Sequence, residues 1–319
     1  MKPPQSRGPG APGGRNNQRG ARPNFSARGN RPPHPPRPPG PPGPPRFESR
    51  PRPSAPPKPP PEPRVFAPVA PVRLAPEQRT EMAQAITTYA QELGIAPPAQ
   101  PGWAAFLVRY QEHILGQNSA VNLTTIVEPG DFLVRHHFDS LATVHAAPEL
   151  LETSGLNIID IGTGAGFPGI PLWAALPQHH YTLIDGTAKK VRCVEMAFRA
   201  AHDECVNEGL WQAGGEAALE LLAERAEMLP RTDPKYRRAF DIALARATGP
   251  GLEVFENTVS LIKPGGKLIL YFADHPARGE AEMIAGLAKR EVHCDPGATF
   301  AIQHGGHSIQ RRHYVITVE

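Results

Sequence analysis

Three glycines follow an apolar stretch at alternate positions near the middle of the chain. The stretch Asn157–Ile161 is predicted to be a strand, and Gly162, Gly164 and Gly166 come directly after it. Glycine at these positions lets a ligand approach the backbone where a Cβ atom would clash. A second predicted strand ends in Asp185, and an acid at that point suits the hydroxyls of a ribose. The pattern predicts a site for an adenosine group.

The spacing of these glycines favours one adenosine compound over another. A dinucleotide loop reads GxGxxG, and its third glycine allows a helix to pack beside a pyrophosphate. Here the loop reads GxGxG and is preceded by Asp160, which suits an adenosyl sulfonium that has no phosphate. We therefore expect S-adenosylmethionine as the cofactor. A purely structural Gly-rich turn is the alternative that the loop alone leaves open.

Other polar groups are assigned to structure rather than to chemistry. His136 and Asp139 are three positions apart on a predicted helix and share one face. We interpret them as a hydrogen-bonded scaffold rather than as a metal pair or an acid–base pair. The three cysteines are scattered, and no CxxC or HExxH sequence occurs, so no metal site is predicted.

Helices and strands alternate in the second half of the chain. Strands are predicted at 157–161, 181–185, 211–213, 240–245, 267–272, 299–303 and 313–318. Helices are predicted at about 78–93, 103–115, 129–146, 168–176, 188–203, 216–228, 250–262 and 279–289. The alternation predicts an α/β fold with a mostly parallel sheet and helices on both faces. The last two strands have no helix between them and are expected to pair antiparallel.

Charge and composition divide the chain. Residues 1–64 hold 13 Lys and Arg against two acids, together with 23 of the 40 prolines, whereas residues 65–319 hold 21 Lys and Arg against 29 acids. The first segment has too few apolar side chains to form a core. We expect a disordered basic tail over 1–75, a helical cap over 76–150 and a cofactor-binding domain over 151–319.

The tail carries a sparse Arg-Gly pattern at Arg7-Gly8, Arg19-Gly20 and Arg28-Gly29. Such segments bind RNA weakly, through charge and guanidinium stacking, and the binding is sensitive to salt. A solubilising extension with no specific partner is the alternative. The sequence has no apolar stretch of signal-peptide length at its start and none of membrane-spanning length, so we expect a soluble cytoplasmic protein without a membrane partner.

A series of motifs in fixed order resembles a known family. The motifs are Asn122-Leu123-Thr124, Val134-Arg135-His136 with Asp139-Ser140, Asp160 to Leu172, Asp185, Lys189-Lys190-Val191, Ala245-Arg246-Ala247 and Arg312-His313. Over about residues 100–319 the chain resembles the glucose-inhibited division protein B family, the ribosomal RNA small-subunit methyltransferases G. The continuation Gly-Phe-Pro-Gly-Ile-Pro-Leu after Ala165 is far more specific than the glycines alone.

The resemblance implies an activity and a fold. The activity is methylation of guanine N7 in 16S ribosomal RNA with S-adenosylmethionine, on naked RNA or on the assembling small subunit. The fold is a class I (Rossmann-like) methyltransferase with a seven-stranded, mostly parallel sheet and an N-terminal helical cap. We expect a monomer. Guanine N7 carries a lone pair and no proton, so orientation and desolvation suffice and no general base is needed.

The resemblance also implies roles for individual residues. Gly162 and Phe167 would line the cofactor, the pair Gly215-Glu216 would flank its adenine, and Arg246 would close the site. Gly164, Gly166 and Asp185 join them through the argument from the glycine loop. Arg246 and Lys189 are the candidates for orienting the acceptor. Possible phosphate or base contacts are Lys189, Lys190, Arg192 and Arg246, because RNA must be held against an otherwise acidic domain.

Two departures from the family pattern keep alternatives open. Family members carry a lysine after the fifth strand, where this chain reads Leu270-Tyr271-Phe272-Ala273-Asp274, and the serine after the second strand is replaced by Gly186. A methyltransferase acting on another substrate is one alternative, because fold does not fix the substrate. A ribosome-associated RNA-binding relative that has lost catalysis is the other, and the missing lysine is the reason to consider it.

Overall fold

A computed structural model describes residues 69–212, 218–273 and 279–319. The predicted tail, apart from its last seven residues, lies outside this part of the chain. The helices are α1 (Pro76–Glu92), α2 (Trp103–Asn118), α3 (Pro129–Phe132), α4 (Asp139–Leu141), α5 (Glu149–Glu152), α6 (Gly169–Ala175), α7 (Ala188–Asn207), α8 (Leu229–Thr232), α9 (Gly251–Thr258) and α10 (Glu280–Ala288). The strands are β1 (Asn157–Ile161), β2 (His180–Ile184), β3 (Leu219–Leu222), β4 (Phe240–Arg246), β5 (Ile262–Ala273), β6 (Cys294–Asp295), β7 (Thr299–His304) and β8 (His307–Thr317).

The strands form one mixed sheet in the order β3-β2-β1-β4-β5-β8-β6, with β7 also paired to β8. The pairs among β1 to β5 are parallel, and β8 runs antiparallel to β5, β6 and β7. This confirms the predicted Rossmann-like fold and the predicted antiparallel pairing of the last two strands. The sheet has eight strands rather than seven because the two-residue β6 shares the outer edge of β8 with β7.

Each face of the sheet carries its own hydrophobic cluster. Successive side chains of β1 point to opposite faces, and Ile158 packs in one cluster while Ile159 and Ile161 pack in the other. The first cluster also contains buried residues of α1, α2, α6 and α7, and the second contains those of α9 and α10. The helices therefore cover both faces, as expected for a parallel sheet whose strands read as continuous apolar runs.

Helix α2 is buried almost all round because α1, α6 and α7 pack against it. Phe106, Tyr110 and Ile114 follow one another at spacings of three to four residues on one face of the helix, and all three are fully buried. The polar face is buried as well. The carboxylate of Glu112 accepts hydrogen bonds from Arg73, Arg79 and the backbone N–H of Leu74, which compensates its loss of water.

The predicted helix at 129–146 is a continuous helical run of mixed geometry. It begins as α3, widens into a π-helical turn at Leu133–Phe138, continues as α4 and ends in a 3₁₀ turn at Ala142–His145. Single π-helical turns inside helices are frequent at functional sites. This one carries Arg135 and His136. We refer to residues 129–145 as the cleft helix.

The sequence prediction is wrong around the third strand. Trp211 and Gln212 lie outside any strand, and β3 is Leu219–Leu222, inside the stretch predicted as a helix at 216–228. The stretch is rich in Ala, Leu and Glu, which favour helix. Pairing with β2 outweighs that preference, and Leu221 and Leu222 pack in opposite clusters as a strand requires.

None of the helices within the described residues is long and apolar enough to cross a membrane. The proposed boundary between a cap over 76–150 and a domain over 151–319 stays a prediction. Residues from both segments share the first hydrophobic cluster.

Candidate functional site

A cleft of about 300 Å³ opens at the carboxyl ends of β1 and β4. Ligands in open parallel sheets bind at this edge. Its lining residues come from the cleft helix and the loop before it, the glycine loop, α7, the end of β4 and β8. They are Leu123, Ile126, Arg135, His136, Gly162, Thr163, Gly164, Ala165, Phe167, Lys190, Arg246, Ala247 and Arg311.

The three loop positions require glycine for different physical reasons. All adopt positive φ angles, 65° at Gly162, 59° at Gly164 and 87° at Gly166. A Cβ atom at Gly162 would lie 2.4 Å from the Thr248 methyl group, and one at Gly166 would lie 2.3 Å from the hydroxyl of Tyr110. A Cβ atom at Gly164 would meet nothing closer than a backbone oxygen 3.8 Å away. Gly164 is therefore the glycine whose missing side chain keeps space free for a ligand.

Asp160 anchors the glycine loop from the end of β1. Its Oδ2 accepts hydrogen bonds from the Thr163 hydroxyl at 2.6 Å and from the backbone N–H of Gly169 at 2.9 Å. Its Oδ1 is buried and has no hydrogen-bond partner within the described residues. Burial raises the pKa of Asp160 to about 6, against the effect of the two hydrogen bonds.

Asp185 follows β2 and reaches the same loop. Its Oδ2 accepts a hydrogen bond from the backbone N–H of Gly164 at 3.2 Å, and its Oδ1 accepts one from Thr187 at 2.8 Å. The Lys190 ammonium lies 4.0 Å from Oδ2. The acid predicted for the ribose hydroxyls is thus brought together with the glycine predicted to admit the ligand.

Arg246 is held in place on the opposite side of the cleft. Its Nη1 donates to the backbone carbonyl of Arg135 at 2.8 Å and to Asp139 Oδ2 at 3.0 Å, and its Nη2 lies 2.9 Å from His136 Nδ1. The guanidinium carbon lies 5.7 Å from the centre of the Phe167 ring, a cation–π distance. These contacts confirm that His136 and Asp139 form a hydrogen-bonded scaffold.

The contacts of His136 fix its tautomer. A guanidinium can only donate, so Nδ1 accepts from Arg246 and Nε2 carries the proton. Nε2 then donates to the Thr124 hydroxyl at 2.9 Å. Burial, followed by the charge of Arg246, lowers the pKa of His136 well below its ordinary value. The neutral ring stacks on Phe167 with centres 4.5 Å apart, which gives the cleft a rigid aromatic wall.

Arg311 is a cleft residue that the sequence analysis missed. It lies on β8, and its guanidinium binds Asp139 through Nε at 2.6 Å and Nη2 at 3.0 Å. Two arginines therefore share one fully buried carboxylate. Burial raises the pKa of Asp139, but Arg311 and Arg246 outweigh that effect and hold the pKa below its ordinary value. Strand alternation places Arg311 on the same face as His313, and that was the available signal.

Most of the remaining predicted site residues do not line the cleft or lie outside the described residues. Lys189 donates to the backbone carbonyl of Ala120 at 2.9 Å and does not line the cleft, whereas its neighbour Lys190 does. Arg192 is exposed on α7 and is also absent from the cleft lining. Gly215 and Glu216 lie outside the described residues. Their assignment to the adenine stays a prediction.

The stretch in which family members carry a lysine presents side chains to both faces of the sheet. Phe272 packs its ring against Tyr314, with centres 5.0 Å apart, and pairs across the strands with Arg312. Tyr271, on the opposite face, bonds through its hydroxyl to Thr143 of the cleft helix. At this edge, Arg311 is the cation that lies in the cleft lining.

One group of side chains within the described residues has ligand atoms close enough for a cation. It consists of Glu128, Asp131 and His307, which are partly or largely exposed. Asp131 also pairs with the Arg135 guanidinium at 3.2 Å, and that positive charge opposes a bound cation. The sequence prediction of no metal site stays a prediction.

Buried histidines around the cleft predict a loss of stability in mild acid. Burial, followed by the charge of Arg246, lowers the pKa of His137 to about 3. Burial lowers the pKa of His313 to about 4, against the opposing effect of the Asp139 charge. Burial also lowers the pKa of His136. The unfolded chain takes up protons on these residues near pH 6.5, whereas the folded chain does not. The free energy of unfolding therefore decreases as the pH falls below about 6.5.

Asp160 opposes part of this effect, because its raised pKa makes the folded chain bind a proton between about pH 6 and pH 4. We expect a net loss of about 2–4 kcal/mol between pH 6.5 and pH 5. Denaturant unfolding at several pH values measures this loss. His137→Gln, which keeps a polar group beside Gln111, should make the pH dependence shallower. A free energy of unfolding that is constant over this range would refute the assignment of neutral buried histidines.

Comparison with known proteins gives the family. The family model GidB, described as rRNA small subunit methyltransferase G, matches residues 104–292. The chain is 37% identical over 162 residues to the ribosomal RNA small subunit methyltransferase G of Trichormus variabilis, covering 50% of this chain and 60% of that protein. The protein of the same name from Synechococcus sp. (strain JA-2-3B'a(2-13)) is 38% identical over 173 residues, covering 54% and 61%.

The matched region thus spans about 60% of the length of these relatives. Among solved structures, a SAM dependent methyltransferase from Aquifex aeolicus is similar with a TM-score of 0.36 at 16% identity, covering 55% of this chain and 93% of that one. The family model covers more than half of the chain and includes the glycine loop, Asp185 and Arg246. The chain belongs to the rRNA small subunit methyltransferase G family.

Proposed function

We propose that this protein transfers a methyl group from S-adenosylmethionine to N7 of a guanine in 16S ribosomal RNA, on the naked RNA or on the assembling small subunit. We propose further that it acts in the cytoplasm as a monomer. The observation that carries the proposal is a single cleft that combines a glycine loop open at Gly164 with several cationic side chains. The first feature suits a nucleoside cofactor, and the second suits a nucleic-acid acceptor.

The residues of the cleft fit S-adenosylmethionine. Gly164 leaves open space beside the carboxylate of Asp185, which would accept the ribose hydroxyls. Asp160 anchors the glycine loop from outside the cleft lining, and its buried Oδ1 has no hydrogen-bond partner within the described residues. Its carboxylate would favour the positive charge of the methionine part. When bound, this cofactor supplies an electrophilic methyl group on a sulfonium. Phe167 and His136 provide an aromatic wall from which water is excluded.

The chemistry needs little from acid or base groups. The bound cofactor would supply the methyl group to the lone pair of guanine N7 with loss of the carbon–sulfur bond, and the positive charge would pass from sulfur to the guanine ring. No proton moves, so the protein contributes orientation and a dry site. The neutral state of His136 agrees with this scheme, because its two nitrogens are already occupied by Arg246 and Thr124.

The charges of the cleft differ from those of the chain around it. Residues 65–319 hold 21 Lys and Arg against 29 acids, yet the lining of the cleft includes Arg135, Lys190, Arg246 and Arg311. A local positive patch on an acidic body orients a polyanion towards one place, because the rest of the surface repels it. This distribution supports RNA as the acceptor over an uncharged small molecule.

Labelled S-adenosylmethionine tests the proposal against its alternatives. Purified protein is incubated with unmethylated small subunits, with their stripped RNA, with large-subunit RNA and with total protein. We expect label on small-subunit RNA in one of the first two reactions. If label appears only on another acceptor, that acceptor is the substrate and the proposal for 16S ribosomal RNA is wrong. Cofactor binding without label on any acceptor would favour the non-catalytic RNA-binding alternative.

A further inference from the structure

Two arginines from different strands bind the same carboxylate beside the cleft. Arg311 of β8 binds Asp139 through two nitrogens, and Arg246 of β4 binds the same Oδ2 through Nη1. Asp139 is completely buried, whereas the side chains of Arg246 and Arg311 keep 14% and 18% of their exposure. One negative charge cannot balance two positive charges, so the group carries a surplus of one positive charge at the cleft.

The two guanidiniums differ in how many of their donors are used. Arg246 also donates to the Arg135 carbonyl and to His136, so both of its terminal nitrogens are engaged. Arg311 contacts Asp139 through Nε and Nη2, and within the described residues its Nη1 has no hydrogen-bond partner. A guanidinium has five N–H donors, and Arg311 therefore keeps donors for an anion in the cleft that it lines.

Arg311 enters the cleft beside Arg246, because both guanidiniums bind Asp139 Oδ2. In the sheet, β4 and β8 lie on one side of β1, whereas β2, which Asp185 follows, lies on the other side. An anion bound at Arg311 is therefore on the Arg246 side of the cleft. Separate measurements of cofactor affinity and RNA affinity distinguish a phosphate of the acceptor from the carboxylate of the cofactor.

We propose that Arg311 binds a phosphate of the RNA acceptor, with the Arg311–Asp139–Arg246 group holding its guanidinium in a fixed orientation. This inference rests on the proposed function, since it takes RNA as the acceptor. It also explains how the paired strands β5 and β8 supply a cation although the stretch 270–274, where family members carry a lysine, has none.

The experiment compares Arg311→Gln, Arg311→Lys and the control Arg199→Gln. Arg199 is an exposed arginine on α7, paired with Glu195 and outside the cleft lining. Three quantities are measured for each variant: the affinity for S-adenosylmethionine, the affinity for small-subunit RNA as a function of salt, and kcat and KM for methyl transfer.

For Arg311→Gln we expect a KM for RNA about 10-fold higher, cofactor affinity within about 2-fold of wild type, and a salt slope of RNA binding shallower by about 0.7 to 0.9, the value for one phosphate contact. Arg311→Lys should restore most of the slope, because it keeps the charge. Arg199→Gln should match wild type in all three.

Several results would overturn the inference. An unchanged salt slope in Arg311→Gln means that Arg311 binds no phosphate of the RNA. A loss confined to cofactor affinity would assign Arg311 to the carboxylate of S-adenosylmethionine instead. Wild-type protein that does not bind the RNA would also refute it. Failure of the proposed function is recognised separately, because RNA binding is measured without turnover. If the wild-type protein binds RNA without methylating it, the proposed function is wrong. The salt slope of RNA binding then still shows whether Arg311 binds a phosphate.

Discussion

Gly164→Leu is expected to weaken binding of S-adenosylmethionine at least about 100-fold while the chain still folds. A Cβ atom at Gly164 would meet no non-neighbouring protein atom closer than 3.8 Å, and Gly164 lines the cleft. We therefore expect a leucine there to extend into the space where the cofactor is proposed to lie. The expected cost to folding is that of the positive φ of 59°, about 1–2 kcal/mol for a residue other than glycine. Calorimetric titration with S-adenosylmethionine measures the affinity.

Gly155→Leu is the matched control. Gly155 has a φ of 73° and open space around it, and it precedes β1 on the surface. It should therefore suffer the same backbone strain without approaching the cleft. We expect both variants to lose similar stability and Gly164→Leu alone to lose cofactor binding. If the two variants bind the cofactor equally well, the cofactor does not occupy the space beside Gly164.

Asp139→Asn is expected to have the largest effect on stability. The carboxylate balances part of the charge of two guanidiniums at a buried position, and removing one partner of a buried ion pair costs about 3–5 kcal/mol. Without the carboxylate, Arg246 and Arg311 repel each other, and the hold on Arg246 beside Phe167 is lost. We therefore also expect methyl transfer to fall about 100-fold, since misplacement by about 1 Å can cost this much.

Asp131→Asn provides the comparison, because Asp131 is a partly exposed acid that pairs with Arg135 one helical turn away and with His307. Exposed pairs of this kind contribute little to stability, so this variant should unfold close to wild type. Thermal or denaturant unfolding of both variants, followed by the methyl transfer assay, separates the two positions. Equal stability of Asp139→Asn and Asp131→Asn would show that the buried arginine pair does not depend on the carboxylate.

Local patterns predicted which segments form the β1 and β2 side of the cleft. A strand such as β1, the glycine loop and the acid after β2 are contiguous in sequence, and their spacing alone indicates how they meet in space. The helices of the first hydrophobic cluster are also visible as apolar periodicity. The structure adds a distinction that spacing cannot provide: a Cβ atom at Gly162 or Gly166 would clash with Thr248 or Tyr110, whereas one at Gly164 would have open space.

The features that were predicted wrongly or missed from the sequence depend on contacts between residues that are distant in the chain. The stretch around β3 has the composition of a helix, and its pairing with β2 decides otherwise. Arg311 became visible only when β8 was placed beside β5, where residue 311 pairs with residue 273 and reaches Asp139. Its partner lies 172 positions earlier in the chain. No local pattern contains such a pair.

The same reasoning separates the two lysines of the Lys189-Lys190 motif. Sequence marked both as contacts, and the choice between them depends on the orientation of α7 relative to the sheet. Lys189 is used to hold the carbonyl of Ala120, at the start of the loop that leads to the cleft helix. Lys190 is left as the cleft-lining cation near Asp185. Lys189 thus contacts that loop rather than the cleft, and its role in orienting the acceptor stays a prediction.

The most direct test of the central claim is the identity of the methylated nucleoside. Unmethylated small subunits and their RNA are incubated with the protein and S-adenosylmethionine, and the RNA is digested and analysed by nucleoside mass spectrometry, with Gly164→Leu as the inactive control. We predict 7-methylguanosine at one position per subunit with wild type and none with the variant. A different methylated nucleoside, or no methylation of RNA by a protein that binds the cofactor, would contradict the proposed guanine-N7 methyltransferase activity.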